Sequence, residues 1–167
     1  HLSASPSYAS SRNTGQYVRA VDDPLATATF GRRYVFADLK QTTVSMTTRI
    51  EWTFTPTLSF QLYAQPFLSS GRYSRIKEFA RPRSYDFAVY GVDRGTIVRN
   101  AGTGAYSIDP DGAGAAPTFA VGNPDFNVRS LRGNAVVRWE YRPGSTLFFV
   151  WQQQRSDAEP FGDFEFS

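Results

Sequence analysis

Residues 43–65 alternate so regularly that a β-hairpin is the only simple fold for them. Val44, Met46, Thr48, Ile50, Trp52 and Phe54 fall on one face of a first arm. Thr43, Ser45, Thr47, Arg49, Glu51 and Thr53 fall on the other, with the period of two that a strand imposes. Thr55-Pro56-Thr57 breaks the run, after which Leu58, Phe60, Leu62 and Ala64 alternate with Ser59, Gln61, Tyr63 and Gln65. Each arm has about the ten residues that a tilted strand needs to cross the hydrocarbon of a bilayer. A sheet packed on a soluble core would alternate in the same way, so the hairpin leaves open what its apolar face touches.

Composition narrows the choice. Aromatic residues make up 16% of the chain, Gly, Ser and Thr are frequent, and almost nothing has helical periodicity, so the expected class is all-β. The longest clean apolar run is 147–151, far short of the roughly 18 residues of a transmembrane helix. That excludes a helical membrane protein but not a barrel, whose hydrophobicity is spread over every second residue. The chain has no cysteine, which removes disulfides, thiolate metal sites and a Cys nucleophile. Its net charge is a mild +3, and Lys40 and Lys77 are its only lysines. The Arg bias suits bidentate pairing in a confined wall, and equally suits a high-GC genome. With His1 rather than Met first and no apolar cleavable leader, the chain is expected to be an internal piece of a longer polypeptide.

Read in order, residues 2–21 suggest one strand interrupted at Asn13-Thr14-Gly15, and Asp22-Asp23-Pro24 a loop. Residues 27–42 should run into the hairpin. There Asp38 and Lys40 share a face with Tyr34 and Phe36, which suits a strand reaching beyond lipid. Residues 66–128 form a long excursion rich in Gly, Pro, Asp, Arg and Tyr, with strand-like pieces at 84–90, 96–99 and 117–121. So long a connection beside such short turns is the asymmetry of an outer-membrane barrel. Residues 129–141 and 146–154 form a second hairpin around Arg142-Pro143-Gly144-Ser145, and the last residues, from Ser156, read as an outer loop with a strand just starting.

Laid on each other without gaps, the two hairpins match at an offset of 89: Arg49 and Glu51 fall on Arg138 and Glu140, and Leu58 falls on Leu147. This alignment predicts that both turns are in register and that the Arg-x-Glu pairs form a charge ladder on the inner wall. Trp52, Phe54, Trp139 and Tyr141 would form an aromatic girdle near the short turns. Arg49, Glu51, Gln61, Tyr63, Arg132, Arg138 and Glu140 are then the expected lumen-lining residues.

Chemistry is thinly represented. His1, the single histidine, is terminal, which removes a Ser-His-Asp triad or His-based zinc site. Glu51 and Glu140 as a glycosidase pair would each have an Arg two residues away keeping them ionised, leaving no general acid. Asp109-Pro110-Asp111-Gly112 begins like a calcium loop, but the distal ligands are missing at the required spacing, so it reads as a turn. No enzyme, cofactor or metal is expected. The most binding-like composition lies in the excursion, with Tyr73, Tyr85, Tyr90, Arg81 and Arg83 as candidates for stacking on sugars or pairing with phosphate. Packing of the loops against one another is the plainer reading of the same residues. Nucleic acid is not expected, since acids balance the basic residues.

Residues 32–67 and 122–153, with Arg33-Tyr34-Val35-Phe36-Ala37-Asp38 and Asn123-Pro124-Asp125-Phe126 as their most distinctive stretches, resemble the C-terminal region of a bacterial family of undefined function. Its members join an N-terminal domain similar to family-nine carbohydrate-binding modules to an outer-membrane β-barrel. The resemblance implies a bacterial outer-membrane location and an upstream carbohydrate-binding-like domain in the same polypeptide. It brings no catalytic residues. The expected architecture is thus an antiparallel up-and-down meander, a partial barrel of about five membrane strands spanning 1–167, with its upstream and closing strands missing and 66–128 extracellular. The expected function is a porin- or receptor-like, non-catalytic wall for carbohydrate-related solutes, with outer-membrane lipid as its surroundings. The alternative is a soluble secreted β-sandwich that binds glycans.

Overall fold

A computed structural model describes residues 1–160, and apart from a 3-10 turn at Thr27–Thr29 every regular element in them is a strand. Five long strands, β1 (Leu2–Asp22), β2 (Arg32–Thr55), β3 (Leu58–Phe79), β8 (Phe126–Arg142) and β9 (Ser145–Glu159), form one antiparallel meander in that spatial order. The short β4 (Phe87–Val89) adds to β3, while β5 (Thr96–Arg99), β6 (Tyr106–Asp109) and β7 (Phe119–Val121) make a separate small sheet. The all-β meander expected from the alternation is present. Among the described residues β1 and β9 are open edges, and the sheet does not close.

Several boundaries shift. β3 continues to Phe79, so only residues 80–125 leave the five-strand meander, a shorter excursion than the alternation suggested. β6 had no clear alternation to announce it. Ser156 to Glu159, expected in a loop, belong to β9, because they pair with 127–130 of β8. The rest of the expected terminal strand, 161–167, lies outside the described residues. The expected interruption of β1 is a pair of register shifts against β2, between Asn13 and Gln16 and between Tyr17 and Arg19.

The two turns correct the internal repeat. Thr55 pairs with Leu58 and Arg142 with Ser145, each beside a register shift that leaves Phe54 or Tyr141 unpaired. The matching offset is therefore 87 rather than 89. It places Pro143 on Pro56, Trp139 on Trp52 and Tyr141 on Phe54. The Arg-x-Glu similarity had outweighed the turn, although the turn fixes register. The two turns use different chemistry. In the first, the Thr55 hydroxyl accepts from Thr57 N–H at 3.3 Å. In the second, Pro143 precedes Gly144 at φ +78, the residue pair favoured where a turn needs a positive φ.

Along their length the strands divide in two. From Trp52 up to Ser45 on β2, and at the facing positions 60–67 of β3, no residue is buried and the sheet is a single layer. The half beyond Lys40 is covered: residues 80–125 fold back over it. Val35, Ala37, Ile76, Tyr90, Ile108 and Val121 form the buried core there, with Val18, Tyr73, Tyr106 and Phe119 packed around it. β2 alternates without interruption from Val35 to Thr53, since the bulges over that length fall on β1 and β3. Val35 and Ala37 therefore lie on the same face as Arg49 and Glu51, and the excursion folds toward the polar side of the sheet.

Candidate functional site

The polar face is assembled by cross-strand rows. Glu51, Gln61, Val136 and Val150 form one row, and Arg49, Tyr63, Asn134 and Gln152 the next. Gln65, Arg132 and Gln154 follow on the far side of the turns. Nearer the turns stand Thr53, Ser59, Arg138 and Phe148, and then Glu140 opposite Thr146. All seven residues expected on the lumen side thus share one face of the sheet. Arg49, Glu51, Gln61, Tyr63, Asn134 and Val136 line a shallow hollow of about 280 Å³. Arg132, Arg138 and Glu140 lie outside it. Phe148 and Val150 also project from this face, 61% and 64% exposed, so at β9 the polar side is partly apolar.

The expected charge ladder does not form. β3 separates the two Arg-x-Glu pairs, and the changed offset puts them in different rows. Arg49 instead sits over the Tyr63 ring at 5.6 Å, a cation–π contact between direct cross-strand partners. Arg138 reaches its own-strand Glu140 at 3.9 Å, a weak exposed pair. Glu51 and Glu140 are two strands and four residues apart in register. At ~3.3 Å per residue and ~4.8 Å between strands, their backbones are about 16 Å apart. Glycosidase carboxylates stand about 5–10 Å from each other.

Beside the short turns the opposite face is apolar on every strand. Leu2, Ile50, Leu62, Ala135 and Trp151 make one row, and Trp52, Phe60, Val137 and Phe149 the next. Nothing among the described residues covers it: Trp52 is 59% exposed, Phe149 60% and Trp151 49%. Trp52 with Phe54 and Trp139 with Tyr141 are ring pairs with the same 6.1 Å centroid separation, so the girdle residues recur in matched places beside the two turns.

The excursion's candidate residues do not converge. Tyr90 is 2% exposed in the core, its hydroxyl without a hydrogen bond; burial first, then the charge of Glu78, push its pKa well up. Tyr73 packs against the same core. Tyr85 is 91% exposed, Arg81 pairs with Asp86, and Arg83 occupies a left-handed backbone conformation. Packing, not a shared site, accounts for Tyr73 and Tyr90. Asp109 and Asp111 accept hydrogen bonds from backbone N–H groups of Gly112 and Ala116, each at 2.9 Å, which makes Asp109-Pro110-Asp111-Gly112 a self-capped turn.

Two buried charge clusters escaped the sequence reading. Arg33 donates to Asp23 at 2.6 Å and to both Glu78 oxygens at 2.8 and 3.0 Å, while Arg94 reaches Glu78 at 2.5 Å. Asp38 accepts from Lys77 at 2.5 Å and Arg12 at 3.1 Å. Burial pushes the Asp23 carboxyl up, but its hydrogen bonds from Arg33 and Leu25 N–H and the Arg33 charge outweigh this and hold it below the usual carboxylate range. Asp38 is held low in the same way, with Lys77 and Arg12 overcoming burial. The hairpin register, extended past 43–65, would set Lys77 opposite Val35; the register shift between Phe36 and Asp38 puts Glu78 there instead, near Arg33.

The two stretches most distinctive in the resemblance prove to be the excursion's anchors. Residues 33–38 supply Arg33, Val35, Ala37 and Asp38 to the clusters and core just described. Asp125 accepts from Tyr73 N–H at 2.6 Å, and the Phe126 ring occupies the space a Cβ on Gly71 would need, 2.2 Å away. Compared with protein-family models, curated proteins and solved structures, the chain finds no match.

Proposed function

We propose that this sheet is a wall segment of a bacterial outer-membrane β-barrel, porin- or receptor-like and non-catalytic, with its apolar face on lipid and its polar face toward the lumen. The observation that carries the reading is the apolar face itself. It is five strands wide, unbroken by charge from Ile50 to Trp52 and their partners, and uncovered. Water would make so large an apolar surface costly, and hydrocarbon removes that cost. A soluble sandwich would need a second sheet packed about 10 Å above this face, and the covered side of the molecule is the opposite one.

Carbohydrate-related solutes are the proposed cargo. The hollow combines a guanidinium, a carboxylate, two amides and a tyrosine ring, groups that hydrogen-bond to hydroxyl-rich molecules or stack on them. The test is partitioning and substitution in the full-length polypeptide. The protein should fractionate with outer membranes and require detergent for extraction. Arg at Ile50, Leu62 or Val137 should block assembly, whereas free partitioning into the aqueous phase, or tolerance of those charges, would overturn the reading.

A further inference from the structure

On the polar face, Phe67 stands in a row whose other members, one from each remaining long strand, are Ser7, Ser45, Ser130 and Ser156. It is 37% exposed, and among the described residues no ring or cation packs on it. Direct cross-strand partners have Cβ atoms about 5 Å apart, and a serine side chain ends one atom beyond Cβ. Ser45 and Ser130 therefore leave the ring standing clear of its own row. Tyr63 differs. It lies four residues nearer the turn, about 13 Å along the strand at ~3.3 Å per residue, and the Arg49 guanidinium sits over its ring at 5.6 Å.

The rows on either side carry hydroxyls and amides with one charge, Arg132. Toward the turns come Ser5 and Thr47, then Gln65, Arg132 and Gln154. Outward come Ala9, Thr43, Ser69, Val128 and Ala158, and Ser69 is buried, where the covered half begins. None of these three rows holds an acid. Asp157 and Glu159, close in sequence, belong to the opposite face with Arg129, and Asp125, farther out, is buried against Tyr73 N–H and Arg99. Phe67 is thus an apolar plate at the step between the bare and covered halves, ringed by groups that donate and accept hydrogen bonds.

A pyranose ring has the same division: its C–H groups form an apolar face and its hydroxyls point outward around the rim. We propose that Phe67 is a stacking platform for a pyranose unit of an oligosaccharide, with Ser45, Ser130, Gln65 and Arg132 hydrogen-bonding to the hydroxyls around it. This deepens the carbohydrate reading of the polar face and rests on it. Stacking takes the phenyl ring and the C–H face out of water, which is favourable, while the polar neighbours replace the water lost from the hydroxyls. The hollow at Tyr63 lies on the same face, farther from Phe67 than one pyranose unit spans. A chain of linked sugars reaches both; a single sugar does not.

The test uses the full-length polypeptide folded in detergent micelles and titrated calorimetrically with linear hexasaccharides of α-linked glucose, β-linked glucose, mannose and xylose, alongside glucose and open-chain sorbitol. At least one hexasaccharide should bind, more tightly than glucose. Sorbitol, which has the hydroxyls without a ring face, should not compete. Phe67→Ala should weaken the bound hexasaccharide about ten-fold, within the range for removing a stacking aromatic. Phe67→Leu, which keeps apolar bulk, should weaken it nearly as much at an unchanged unfolding temperature, and Phe67→Tyr should restore it. A ring needed only for packing would give the reverse, a lowered unfolding temperature in Phe67→Ala and full affinity in Phe67→Leu. Full affinity in Phe67→Leu, or competition by sorbitol equal to that of glucose, would overturn the platform; loss of the same binding in Tyr63→Ala would then leave the carbohydrate reading standing without it. Binding of none of the hexasaccharides would overturn both the platform and the carbohydrate cargo and leave the barrel wall standing.

Discussion

On β2, Val35, Ala37, Asp38 and Leu39 are buried, whereas no residue from 41 to 55 is, although one continuous strand carries both stretches. β3 behaves alike: residues 58–67 contain no buried position, and Ile76, Lys77 and Glu78 are all buried. In the covered half, folding is paid for by a packed core and by ion pairs removed from solvent. In the bare half the described residues supply no core to either face; on the proposed barrel reading the lipid against the apolar side would stabilise it, and one strand would serve two solvents.

The largest effect should come from the covered half. Arg33→Ala leaves Asp23 and Glu78 buried beside each other without their shared cation, at a cost of about 3–5 kcal/mol. Hydrogen exchange should then accelerate at Val35 and Tyr90 and remain unchanged near Trp52. Loss of protection at both ends would break the division drawn above. Next, Ile50→Arg should cost about 2–4 kcal/mol in a bilayer, measured by chemical unfolding from lipid vesicles, and much less in an aqueous denaturation of the same variant.

Acid sharpens the contrast by a different route. The Asp23 and Asp38 carboxyls are held low when folded, so their stabilisation is complete above the ordinary carboxylate range and fades as pH falls through the lowered values. Fluorescence-detected acid unfolding of the excursion should move to higher pH with Asp38→Asn as its starting point already reached. The bare half should show little of this dependence. The smallest stability change belongs to Gln61→Arg on the polar face, within about 0.5 kcal/mol. Single-channel recording should instead show a shift toward anion selectivity, and an unchanged ion preference would remove Gln61 from the lumen.

Much of the bare half was legible because one face of a strand must suit one environment: the alternation around Ile50 and Leu62 identified both hairpins and their faces. The excursion was not, since its strands are only three or four residues long, and a core closed by Ile108 and Val121 is a long-range event that local periodicity does not encode. The repeat was seen but misaligned. Charge similarity between Arg49-Ile50-Glu51 and Arg138-Trp139-Glu140 favoured one offset, while the Pro56 and Pro143 turns imposed another. The site residues were found as members of a face, not as a constellation, and Asn134 and Val136 joined them only through the β3–β8 register. Asp23 and Glu78, far apart in sequence, needed the covered half to become neighbours.

The open edges carry a topological consequence. β1 and β9 are the outer members of an antiparallel series of five, so they run in the same direction. In a ring whose every neighbour is antiparallel, two such edges cannot meet directly, nor can β9 of one copy meet β1 of another. Joining them takes an odd number of intervening strands, and at least three to reach the roughly eight of the smallest barrels.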